Sequence, residues 1–257
     1  MVSTGLPYRL PTKRNNMATL KIFETTDEVL TGLADFFVKS ASEAIAVQER
    51  FTVALSGGSS PKKLYELLAS DAYSNQVEWE KVYFFFGDER NVPDNHPDSN
   101  ALMVKKALFD PLNIPYSQVF KVNTLHSPEE AAKDYTDDIY NFFKTEKVVF
   151  DLILLGLGDN SHTASLFPHT LVLHDPTASV EEVFLEDQQV YRITFTAALI
   201  NQARHIAFLV YGQGKAEAVH HVLEDAENID EYPAQLIRKD ENVLWFLDQS
   251  AASLIKK

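Results

Sequence analysis

Apolar positions in this chain fall into short continuous runs, separated by longer stretches in which they recur every three or four residues. Residues 20–24 (LKIFE) read as a strand. Residues 25–49 read as a helix, with Val29, Leu30, Leu33, Phe36, Phe37 and Ala44 on one face. The run 51–55 (FTVAL) is apolar throughout and partly β-branched, as a strand covered on both faces should be. It ends at SGGSSP and a helix over 62–69. The arrangement then recurs, with a strand at 82–86 (VYFFF), a loop GDERNVPDNHPDS capped by Asp98 or Ser99, and a helix over 100–109.

Pro128 opens a further helix to about residue 144, and strands are expected at 150–155, 191–195, 205–210 and 243–247. Of these, YRITF alternates most clearly and reads as lying nearer an edge. A helix over 215–223 and a short carboxyl-terminal helix complete the series. Apolar strands alternating with helices predict an α/β fold, a mostly parallel sheet with helices on both faces. A closed eight-fold barrel is the competing architecture, disfavoured by the irregular spacing and the long loop after Phe86. No linker or repeat divides the chain. Residues 1–16 (MVSTGLPYRLPTKRNN) read as an extension, and 17–257 as one domain with room for a small subsidiary lobe. Pro7 and Pro11 would interrupt an amphipathic transit helix there.

Composition narrows the partners. The 257 residues carry a net charge of −14, and a surface that releases counterions from a phosphate backbone needs the opposite balance. Nucleic acid is therefore not an expected partner. There is no cysteine, so neither a thiolate nucleophile nor a Cys-ligated zinc site is available. No apolar run approaches the ~20 residues of a membrane-spanning helix. A cytoplasmic protein is the expectation, as monomer or homodimer.

Four strands end in loops with unusual chemistry, at the end of an open α/β sheet where ligands bind. In Ser56-Gly57-Gly58-Ser59-Ser60-Pro61, paired glycines let backbone approach a ligand, and Pro61 suits a first helical position after a Ser60 cap. Free N–H groups at such a helix start attract an anion. Gly87-Asp88-Glu89-Arg90 places three charges directly after a buried strand. Arg90 offers a fork for phosphate, and Asp88 and Glu89 offer acceptors for sugar hydroxyls or for neighbouring loops. The third loop, Gly156 to Pro168, carries His162, whose ordinary pKa suits proton transfer. The fourth sets Lys215 at a helix start, where the dipole gives a cation nothing and a ligand anion would account for it. Arg192, near the start of YRITF, is another candidate cation. The pairs His220-His221 and His169 with His174 lack a recognisable metal-ligand set, and no metal is expected.

The ordered set SGGSSP, FFFGDERNVPDNHPDSN, GLGDNSHTASLFP and GKAEAV, followed by Tyr232-Pro233-Ala234, resembles the 6-phosphogluconolactonase family from about Met17 onward. Glucosamine-6-phosphate deaminases belong to the same superfamily, but their second loop usually reads Asp-Glu-Tyr and a different run follows the His. The resemblance implies a Rossmann-like sugar-phosphate isomerase/lactonase fold. It also implies hydrolysis of 6-phosphogluconolactone to 6-phosphogluconate in the pentose phosphate pathway, with no metal or organic cofactor and a phosphorylated sugar lactone as the small-molecule partner. By the same resemblance His162 is the catalytic base. Gly57, Gly58, Ser59, Asp88, Arg90 and Lys215 line the substrate pocket, with Arg192 an addition.

One departure stands out, because the family's Asp-Gly before the His is Asn160-Ser161 here. Asn160 keeps the size of the residue expected to orient the imidazole but loses its charge, and an amide can favour the wrong tautomer. Ser161 gives up easy access to positive φ. Asp159 is a substitute for the charge if the loop is rearranged. Activity is expected to fall below the pKa of His162, so a flat rate from pH 5 to 8 would count against that role. The rival readings are a deaminase or isomerase using Asp88 on carbon-bound hydrogen, and a sugar-phosphate binder with little turnover.

Overall fold

The structure, a computed structural model, describes residues 18–256; the extension read at 1–16 lies outside them. The first strand, β1 (Thr19–Phe23), leads to α1 (Thr26–Gln48), where the Thr25 hydroxyl and Glu28 carboxylate cap each other's backbone N–H groups. β2 (Phe51–Leu55) is followed by α2 (Ser59–Leu68), and β3 (Val82–Phe86) by β4 (Asp88–Arg90). The 100–109 segment begins as α3 (Asn100–Val104), widens by one turn of π-helix and closes as α4 (Asp110–Leu112). Then come α5 (Pro128–Phe143), β5 (Leu152–Leu155), β6 (Val180–Leu185), β7 (Val190–Phe195), α6 (Ala197–Ile200), β8 (His205–Val210), α7 (Ala216–Glu224) and β9 (Val243–Asp248).

Six strands form one parallel sheet in the order β1-β9-β8-β5-β2-β3. The sheet is open, which removes the barrel alternative. Strand side chains alternate between its two covered faces. Phe84 and Phe86 pack with α1 and α2, while Phe85 packs on the α5 side among Phe120, Phe142 and Phe150. From β2 the chain passes outward to β3, then returns to β5 on β2's other side. The carboxyl ends of β2 and β5 therefore flank a topological switch point.

The second sheet is a finding the sequence reading lacked. β4, β7 and β6 form an antiparallel three-stranded sheet, in that order. Gly87 is the hinge between the sheets: its N–H donates to Leu55 O at 2.9 Å, and its carbonyl accepts from Phe195 N at 2.8 Å. DER was expected as loop and is instead a strand, because Gly87 turns the chain onto β7. YRITF was expected near an edge and is the middle strand of this small sheet. β6 was not predicted at all, and the turns over 249–254 replace the expected terminal helix.

Candidate active site

The loops after β2, β3, β5 and β8 meet at the carboxyl end of the main sheet around a cleft of about 260 Å³. Gly57, Gly58, Ser59, Asp88, Arg90, His162 and Lys215 all line it. The two remaining expected residues stand one step back. Asn160 lies behind the imidazole of His162, and Arg192 sits on β7 directly opposite Arg90.

The first wall is the GG turn. α2 begins at Ser59 with Gly58 as its cap at φ 103°, so the cap is not Ser60, and Pro61 is the third helical residue instead of the first. No side chain caps this helix, which leaves its first N–H groups for a ligand. Gly57 is fixed by crowding, since a Cβ there would sit 1.9 Å from Asn100 Oδ1. Tyr65, fully buried, clasps both backbone groups of Ser56 and holds the turn to its own helix.

Glu89 and Asp88 separate into different roles. The buried Glu89 carboxylate accepts from the N–H groups of Arg90, Asn100 and Ala101 and from the Ser99 hydroxyl, so it caps α3 rather than reaching for a sugar. Burial pushes its pKa up, against the three backbone donors. Asp88 faces the cleft while accepting from Ser165 Oγ at 2.7 Å and Asn100 Nδ2 at 3.3 Å. Arg90 donates to Asp98 O, but its buried Nε has no hydrogen-bond partner among the described residues, and neither has that of Arg192. Burial, then the neighbouring Arg90, lowers the pKa of Arg192.

His162 is placed by a tightly folded loop. Gly158 N donates to His162 O, Ser161 N to Gly158 O, and Ala234 N to Ser161 O. Thr163 Oγ1 donates to Gly156 O. Ser161, Ala164 and His169 all take positive φ, at 61°, 48° and 62°, so the loop holds three side-chain-bearing residues in a region that disfavours them. Asn160 Oδ1 lies 2.5 Å from His162 Nδ1, with the amide oxygen facing the ring. That contact selects the Nδ1–H tautomer and leaves Nε2 unprotonated, the opposite of the wrong-tautomer concern. Asp159 does not replace the lost charge, because its carboxylate pairs with Lys215 Nζ at 2.5 Å. Gly158 leaves room for the ring, since a Cβ there would lie 2.0 Å from Nδ1.

The imidazole pKa is lowered to about 4. Burial is the largest cause; Asp88 opposes it, Lys215 and Arg192 reinforce it, and Asp159 opposes it. His162 is therefore neutral across the ordinary pH range. If His162 is the base, the fall in activity expected below its pKa belongs nearer pH 4 than between pH 8 and 5 in the free protein.

A cleft pairing a neutral His with cations and an anion-type helix start suits hydrolysis of a phosphorylated ester. The family profile described as glucosamine-6-phosphate isomerases/6-phosphogluconolactonase matches residues 24–245. The chain belongs to this family. It is 42% identical over 221 residues to the 6-phosphogluconolactonase of Synechocystis sp., covering 84% of this chain and 89% of that protein. Probable 6-phosphogluconolactonase 3, chloroplastic, of Oryza sativa subsp. indica is 37% identical over 250 residues, covering 92% of this chain and 76% of that protein. In three dimensions it resembles a solved 6-phosphogluconolactonase from Trypanosoma cruzi, with a TM-score of 0.82 at 26% identity, across 95% of this chain and all of the other. Within this family, the sequence reading missed three contributors to the site. Asn100 was read as a helix start, Ser165 and Phe167 as part of a motif. Only their tertiary contacts, with Gly57 and Asp88, with Asp88, and with His162, mark them.

Proposed function

We propose that this chain hydrolyses 6-phospho-D-glucono-1,5-lactone to 6-phospho-D-gluconate, with His162 as general base. The observation that carries the reading is the neutral His162, its Nδ1 engaged by Asn160 and its ring in a cleft shared with Arg90, Lys215 and the GG turn. The relatives' names support the same substrate.

In this mechanism Arg90, Lys215 and the α2 N–H groups hold the substrate's phosphate, with Arg192 reinforcing the field behind Arg90. His162 Nε2 takes a proton from water as its oxygen attacks the lactone carbonyl. Backbone N–H groups of the Gly-rich turns stabilise the tetrahedral oxyanion. As the bond to the ring oxygen breaks, the imidazolium returns its proton to that oxygen, freeing the hydroxy acid. An imidazole with a pKa near 4 is a weak base, but a bound phosphate brings negative charge into the cleft and raises it towards the operating pH. Asp88 remains a bound acceptor for a sugar hydroxyl. With Ser165 and Asn100 already on its carboxylate, it is poorly suited to abstract a carbon-bound proton.

The test is turnover of freshly generated lactone, with spontaneous opening subtracted, by wild type and His162→Ala. Wild-type turnover that vanishes in the variant supports the reading. Background-level wild-type turnover, or ammonia release from glucosamine 6-phosphate, overturns it.

The proposal places the reaction in a single domain over 17–257, supported by one core that runs from α5 through the small sheet to β5 and β8. A protease-resistant fragment lacking β6 and β7 would contradict that. No described helix is long and apolar enough to cross a membrane. The cytoplasmic assignment is checked by fractionation, a plastid location being the alternative the rice relative's name raises.

A further inference from the structure

The side chain of Phe167 lies against His162, ring centroids 4.0 Å apart and planes inclined by 18°. No other aromatic ring stacks on this imidazole among the described residues. The other contact that fixes the imidazole is Asn160, whose Oδ1 engages Nδ1. The ring plane turns about the Cβ–Cγ bond, and a single hydrogen bond at Nδ1 restrains that rotation at one atom only. A parallel aromatic face removes the swing. Together the two contacts define both the tautomer and the plane of the ring.

We propose that Phe167 is a positioning residue for the reaction above, holding the imidazole plane so that Nε2 addresses the substrate. The inference rests on His162 being the base. Phe167 also shields one face of the ring from water, which disfavours the imidazolium. The cation–π attraction a phenyl face offers an imidazolium acts the other way. The net lowering of the His162 pKa by burial is the direction expected where shielding dominates. The charged groups acting on the ring come from every neighbouring element: Asp88 on β4, Arg192 on β7, Lys215 before α7, and Asp159 on the His loop itself. None of these is altered by a substitution at 167.

Phe167 is well suited to test. Its position is half-buried at the margin of the main core, and it also borders a separate groove of about 530 Å³ with Asn160, Leu171 and Phe184, so the thermal melt of each variant separates lost packing from lost positioning. The experiment compares wild type with Phe167→Leu, Phe167→Met and Phe167→Tyr. Readouts are kcat, KM, the pH dependence of kcat/KM, and an NMR titration of the His162 ring nitrogens, with a thermal melt to establish folding.

The expected result for Leu and Met is a fall in kcat of about ten-fold, a part of the ~10²–10⁴ a general base contributes, with KM changed less than about two-fold. Their imidazole pKa moves from about 4 towards the ordinary 6.5. Tyr, which keeps the aromatic face, restores both. Loss of kcat with no change in the NMR pKa or tautomer, or equal loss in the Tyr variant, overturns the proposal. So does a folded Leu variant with wild-type kcat and pH profile. Should wild type lack lactonase activity, the function above fails, while the NMR titration still decides whether Phe167 controls the imidazole.

Discussion

Two connections at the same end of the sheet, the GG turn after β2 and the His loop after β5, achieve their shapes by opposite means. The GG turn uses ordinary α/β geometry: the one unusual torsion, φ 103°, falls on glycine, and the support comes mainly from Tyr65 of the helix that follows. The His loop places Ser161, Ala164 and His169 at positive φ and holds them with contacts from elsewhere, including Ala234 N on Ser161 O and Thr194 Oγ1 on Ser165 N. An anion site thus comes almost free with the architecture. A positioned base has to be held against local preference.

The comparison makes the loops separable by experiment. The largest effect is expected at His162→Ala, which should lower lactone turnover by ~10²–10⁴ with little change in melting temperature. A similar loss from a GG-turn variant alone, with KM unchanged, would break the division between binding and chemistry. Next comes Gly57→Ala, whose methyl would meet Asn100 Oδ1. It should raise KM about ten-fold or more and reduce kcat less, the pattern of a site 1 Å out of place. Michaelis kinetics on both variants would test the pair.

Smaller but more specific is the effect of pH. With the His162 pKa about 4, kcat/KM should stay flat from pH 8 to 5 and fall below, because protonation removes the base. Asn160→Asp places a carboxylate on Nδ1 and should move the limb up by about one unit or more, since an adjacent negative charge favours the imidazolium. An unmoved limb would mean that another group sets it. The same lowered pKa has a stability counterpart. Between the unfolded value of 6.5 and about 4 the unfolded chain binds the extra proton, so this residue's contribution to stability is lost as pH falls through that window. Smallest is Ser161→Gly, which relieves one left-handed residue. It should stabilise by about 1 kcal/mol, seen as a rise of about 2–4 °C in Tm. No rise would mean that the surrounding hydrogen bonds already offset the strain.

The same contrast explains what could be read in advance. FTVAL, VYFFF and HIAFLV stand where expected because strands buried on both faces need continuous apolar runs, and Thr25 with Glu28 announces α1 in a local pattern. The small sheet was not legible. β4 is three residues, all charged, and becomes a strand only because Gly87 delivers it to β7. Glu89 was open to a sugar hydroxyl or a neighbouring loop and proved to be the cap of α3, since a buried carboxylate among three backbone donors carries no mark of it in local sequence. Asn160 could be identified as a departure, but its consequence for the tautomer depends on which amide atom faces the ring. Phe167 looked like an ordinary apolar residue of the loop, and only stacking reveals its neighbour.

The pairing of Arg90 with Arg192 across β4 and β7 has a further consequence. The positive charge of Arg90 acts unfavourably on Arg192, and each has a buried Nε without a hydrogen-bond partner among the described residues. Any tetrahedral dianion that settles between them relieves that repulsion, so inorganic phosphate or sulfate should raise the melting temperature in proportion to the logarithm of its concentration. The anion that protects the fold would also compete with the substrate. Choice of buffer would therefore decide both how long this protein lasts and how fast it is seen to work.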